Sequence, residues 1–85
     1  MSHQFNNWID TFLMEKGIDL EMSFTVEKED SIFGPNHMTI GNVVDAMKAT
    51  APSEQQAIKN NFVKIDFMNG DVTGYIKHLA QAIAV

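Results

Sequence analysis

The sequence predicts a small α+β domain: one long N-terminal strand, with room for a short hairpin partner, packed against three to four helices. Three observations carry that reading. Phe5, Trp8, Ile9, Phe12 and Leu13 recur at helical spacing. Ile18, Leu20, Met22, Phe24 and Val26 then alternate strictly with Asp19, Glu21, Ser23, Thr25 and Glu27, a period of two. From Ile40 onward the apolar residues return to helical spacing and keep it to Ile83.

Element by element, the first helix opens at Ser2, a residue type that caps helix N-termini with its hydroxyl. It ends at Gly17, where a left-handed C-cap suits glycine. Trp8 lies on the stripe of that helix and is expected to anchor the core. The alternating segment that follows is a strand from Ile18 to Val26 with one buried face, Met22 included, and one wet face that is acidic. Residues 29–36, Glu-Asp-Ser-Ile-Phe-Gly-Pro-Asn, are turn-rich, and His37 to Ile40 can pair briefly as a second strand.

Thr39 is placed to cap a helix carrying Ile40, Val43, Val44 and Met47, which Ala51-Pro52 ends. Ser53-Glu54-Gln55-Gln56 has the S-x-x-Q form of a capping box, so a third helix is expected to start there. Its end is ambiguous. Ile58, Phe62 and Ile65 suit a helix, whereas Val63, Ile65 and Phe67 alternate ahead of Asn69-Gly70, a hairpin-turn pair. The helix reading is preferred because Val72, Tyr75, Ile76, Leu79, Ala80 and Ile83 beyond the turn are helical, with Asp71 as N-cap. Asn69-Gly70 then closes one helix and leads into the next. Gly74 interrupts the last helix, and a close helix crossing there is the expected reason.

At 85 residues the chain is one domain. It carries no cysteine, which removes disulfides and thiolate metal sites. No apolar run approaches the ~18 residues of a membrane span, and no basic region precedes an apolar one at the N-terminus. The expectation is a cytoplasmic protein without a membrane partner.

Charge is the most informative global feature. The net charge is −5, and all six basic residues are lysines. Asp10, Glu15, Asp19, Glu21, Glu27, Glu29 and Asp30 face only Lys16 and Lys28 in residues 1–30, while acids and lysines balance in residues 31–85. The excess negative charge is therefore N-terminal, a field that favours a basic partner and repels phosphate.

Motifs that carry chemistry are sparse. His3, His37 and His78 stand apart from one another and from other ligand types at metal spacing, so no metal or other cofactor is expected. Ser23, Ser31 and Ser53 lack the G-x-S-x-G context of an exposed nucleophile, and Gly70-Asp71-Val72-Thr73-Gly74 lacks the lysine of a phosphate loop. No catalytic residues are assigned. The helix pair 39–50 and 53–68 invites a helix-turn-helix reading, with Gln55, Gln56, Lys59 and Asn60 as base-reading types. Proline in the connection, the lack of arginine and the acidic balance oppose it, so no nucleic-acid partner is expected.

What remains is a non-catalytic protein–protein interaction module, in its most concrete form a small acidic inhibitor or modulator that occupies a basic surface on a nucleic-acid-handling protein. A helix-turn-helix-like transcriptional regulator is the alternative. The expected contact residues are Asp19, Glu21, Glu27, Glu29 and Asp30 on the acidic side, with Ile32 and Phe33 from the loop. Met14, Ile32, Phe33, Met38, Phe67 and Met68 fall off the apolar stripes or in turns, so several of them are expected to be exposed, and Phe67 and Met68 are available for an interface. A long strand with an open edge also predicts a homodimer.

Overall fold

The computed structural model describes residues 3–26 and 36–83, with the side chains of His3, Asn36 and Ile83 excepted. Glu27, Glu29, Asp30, Ile32 and Phe33 lie outside the described residues. The elements run α1 (His3–Glu15), β1 (Ser23–Val26), β2 (Asn36–Thr39), α2 (Ile40–Lys48), α3 (Pro52–Phe67) and α4 (Val72–Ile83). The fold is α+β, four helices and a two-stranded antiparallel hairpin in which Ser23 pairs with Thr39 and Val26 with Asn36.

The stripe on α1 buries Phe5, Ile9 and Leu13, and a Schellman closure ends the helix. Gly17 takes φ +69°, its N–H donates to the Met14 carbonyl at 3.1 Å, and the Ile18 N–H donates to that of Leu13 at 3.0 Å. The chain then turns instead of extending. Asp19 accepts the Glu21 N–H on its carboxylate at 2.9 Å, and its carbonyl accepts the Met22 N–H at 3.2 Å. The expected strand from Ile18 therefore shrinks to the four residues Ser23–Val26. The alternation is real, but its first half has no strand to pair with, because the partner chain enters α2 at Ile40. The first N–H groups of that helix, at Ile40 and Gly41, donate instead to Met22 and Leu20 carbonyls at 3.0 and 2.8 Å. Leu20 and Met22, expected on a buried face, are exposed.

α2 is the centre of the core. Thr39 caps it through a full capping box with Asn42, and Ile40, Val43, Val44 and Met47 are all buried. They meet Phe5, Ile9 and Leu13 of α1, Val26 of β1, Phe62 of α3 and Val72, Ile76 and Ala80 of α4 in one cluster. Full burial of eight such side chains (Phe62, Ile9, Leu13, Ile40, Met47, Ile76, Val43, Val44), each worth about 1.5–3 kcal/mol, is the main force holding the fold.

The start of α3 differs from the sequence reading. Pro52 occupies its first turn and Ala51 is the N-cap, with no side-chain cap bond, so Ser53 sits inside the helix and the Ser53–Gln56 box does not form. Proline needs no N–H at that position and its fixed φ is already helical, which moves the cap two residues earlier, from Ser53 to Ala51. At the other end the ambiguity resolves as a helix through Phe67. Asn69, not Gly70, takes the left-handed conformation at φ 55°. Bonds from Asn69 N–H to Asp66 O (3.1 Å) and Gly70 N–H to Ile65 O (2.8 Å) complete a second Schellman closure.

Asp71 caps α4 by accepting the Gly74 N–H at 2.9 Å. No helix crossing explains Gly74. A Cβ there would stand 2.8 Å from Cγ of Asp71, so the first contact of a side chain would be with the capping carboxylate and not with another helix.

An aromatic cluster joins α1, α3 and α4. Phe12 stacks on Trp8 at 5.0 Å, Phe62 lies 5.5 Å from Phe12, and Tyr75 meets Phe62 edge-on at 5.0 Å. Trp8 is half-buried at the margin of the core.

Candidate acid-flanked apolar groove

Of the expected contact residues, Asp19 and Glu21 are described, and they do not share a strand face. Both are exposed and belong to the tight turn after α1, where the Asp19 carboxylate helps to form the turn itself. What that turn builds was not legible in the sequence. Folding back along α1, it places Ile18 and Leu20 opposite Asp10, Leu13 and Met14, and the two walls enclose an open groove of about 460 Å³. Leu13 is buried at the base, Met14 is 74% exposed on one wall and Leu20 42% exposed on the other. Met22, also exposed, follows in the chain.

Among the described residues, the one charged residue that lines the groove is acidic, Asp10. Its Oδ1 accepts from Lys48 Nζ at 2.8 Å, yet the Asp10 side chain stays 53% exposed. Asp19 and Glu21 flank Leu20 in the chain and Glu15 follows Met14. None of these three has a cationic partner among the described residues. Three other lysines are engaged elsewhere. Lys16 pairs with Asp66 and lies 5.8 Å from the Phe12 ring centroid, Lys59 sits 5.4 Å from that of Trp8, and Lys77 5.9 Å from that of Phe24. Four of the seven N-terminal acids, Asp10, Glu15, Asp19 and Glu21, are thus exposed in or next to the segments that build this groove.

A second apolar surface lies on α3. Val63 and Phe67, one turn apart, share its outer face with Met68 beyond, and Phe67 is 87% exposed. Lys64 and Asp66 flank it with opposite signs, so it carries no charge preference.

Of the residues of the helix-turn-helix reading, Gln56 and Asn60 are exposed, and Gln55 is engaged in the fold. Gln55 is buried and donates to the Lys48 carbonyl at 3.1 Å, Gln56 bonds Asn60 at 2.9 Å, and Lys59 lies over Trp8. His37 and His78 are both exposed, and no group of three or more His, Asp or Glu among the described residues is placed to hold a metal ion. No described helix is long and apolar enough to cross a membrane. Comparison with protein-family models, with curated proteins and with solved structures finds no match to this chain.

Proposed function

We propose that the protein is a non-catalytic interaction module that binds a basic surface of another protein through the groove between α1 and the Ile18–Met22 turn. One observation carries the reading. An open concavity walled by exposed Met14 and Leu20 has the half-exposed carboxylate of Asp10 in its lining, exposed Glu15, Asp19 and Glu21 next in the chain to lining residues, and no lysine among the described residues that line it. Exposed apolar side chains that a fold does not need for its own core mark partner surfaces, and methionine adapts to irregular ones. The acidic margin supplies the selectivity, attracting cations and repelling phosphate-bearing ligands.

A photo-reactive residue at position 14, compared with one at the exposed position 57 of α3, tests this in the native cell. The expected result is a cross-linked protein specific to position 14, whose purified form binds with an affinity that Asp19→Lys and Glu21→Lys lower. No position-specific cross-link, or a partner indifferent to those substitutions and to Leu20→Glu, would overturn the proposal.

A further inference from the structure

Resting on that reading, we infer that the groove receives its partner as a basic amphipathic helix, not as an extended segment. The argument comes from the backbone of the groove walls. One wall is α1, whose peptide groups bond within the helix. The other is the turn, where Ile18, Glu21 and Met22 already donate their N–H groups to Leu13 O, Asp19 Oδ1 and Asp19 O. The carbonyls of Leu20 and Met22 are likewise taken, by the N–H groups of Gly41 and Ile40. An extended peptide binds an exposed strand edge by trading main-chain hydrogen bonds, and these walls offer no strand, with six of the ten peptide groups of Ile18–Met22 engaged within the fold. In a groove of apolar walls its own N–H and C=O groups would lose water without gaining partners. A helix satisfies its backbone internally and presents an apolar stripe, which is what Leu13, Met14, Ile18 and Leu20 can cover. Lysine or arginine beside that stripe would meet Asp10 in the lining and the exposed acids next in the chain to it, Glu15, Asp19 and Glu21. The same carboxylates disfavour an anionic membrane surface as the occupant.

The test uses the intact protein and a labelled leucine–lysine peptide of about 18 residues with leucine at i, i+3, i+4 and i+7, followed by fluorescence anisotropy and circular dichroism. The comparison peptides are a scrambled sequence of the same composition, the patterned sequence with glutamate for lysine, and the patterned sequence broken by a central proline. The expected result is that the patterned basic peptide gains helix on binding and binds at least about tenfold tighter than all three. Met14→Lys and Leu20→Lys, both at exposed positions, should weaken it by a similar factor while leaving the protein's own circular dichroism unchanged. Equal binding by the scrambled or proline-broken peptide, still sensitive to Met14→Lys, overturns the helical occupant but leaves the interaction module standing. Insensitivity to both substitutions, or no binding of the patterned peptide up to about 1 mM, overturns the inference outright.

Discussion

The backbone N–H of Gly41 donates to the carbonyl of Leu20 at 2.8 Å, so the first turn of α2 holds the outer wall of the groove in place. Neighbouring Ile40, wholly buried, fixes that turn to the core and in the same way bonds the Met22 carbonyl. One wall of the groove is therefore anchored to α2, which itself packs against α1, α3, α4 and β2. That exposed wall is held by hydrogen bonds to rigid backbone, not by its own burial.

Gly41 permits this approach because it has no side chain. A Cβ there would sit 3.2 Å from the Leu20 oxygen, closer than such contacts normally come. Alanine ordinarily stabilises a helix relative to glycine by up to about 1 kcal/mol. Gly41→Ala is expected to forfeit that gain and lower stability by about 1 kcal/mol as the turn is pushed outward. Chemical denaturation gives the sign, and amide shifts at Leu20 and Ile18 show whether the wall moves. A clear rise in stability would mean that the turn yields freely.

Gly74 and Asp71 form a second coupled pair. Gly74→Ala alone should bring little or no gain, because the new methyl displaces the capping carboxylate and forfeits a cap worth about 1 kcal/mol. In an Asp71→Ala background the same substitution should stabilise by about 1 kcal/mol, since the helix gains propensity with no cap to lose. A double-mutant cycle measures the coupling, expected at about 1 kcal/mol. Simple additivity would show that the carboxylate swings aside at no cost.

Much of the fold was legible in the residues. The stripes of Phe5, Ile9 and Leu13 and of Ile40, Val43, Val44 and Met47 are buried as their spacing requires, and Thr39, Gly17 and Asp71 act as the caps that their chemistry suggests. The errors share a cause. Local pattern proposed a strand through Leu20 and a capping box at Ser53. The outcome was set by what the next element offered, an α2 N-terminus in place of a strand and a proline in the first turn of α3. The groove was hidden for the same reason. Asp19 and Glu21 were rightly singled out as exposed charge, but only the turn that replaces the strand brings Leu20 opposite Met14.

Asn69 offers a test of the α3 closure. Its φ of 55° costs a non-glycine residue roughly 1 kcal/mol, less for asparagine than for most. Asn69→Gly is expected to stabilise by about 0.5 kcal/mol and Asn69→Ala to destabilise by about 1 kcal/mol, both read from thermal unfolding. Equal midpoints for the two would mean that the closure does not depend on the left-handed residue.

Phe62 and Trp8 divide the aromatic cluster unequally. Phe62 is fully buried, with Phe12, Tyr75 and Trp8 around it at 5.5, 5.0 and 6.3 Å, and it is the one large apolar side chain that α3 buries completely. Phe62→Ala therefore leaves a cavity between three helices and should cost about 3–5 kcal/mol, enough to unfold much of a domain this small. Trp8 is larger but only half-buried, with Lys59 over one face, so part of its surface is already in contact with water. Trp8→Ala should cost about 2 kcal/mol, the share of its area that leaves water on folding. The order of the two costs is the test, because size alone would rank tryptophan first. Urea denaturation followed by far-ultraviolet circular dichroism reads both variants without relying on the lost fluorophore. A greater loss for Trp8→Ala than for Phe62→Ala would place the anchor of the core on α1, and the packing of α3 through Phe62 would then be secondary.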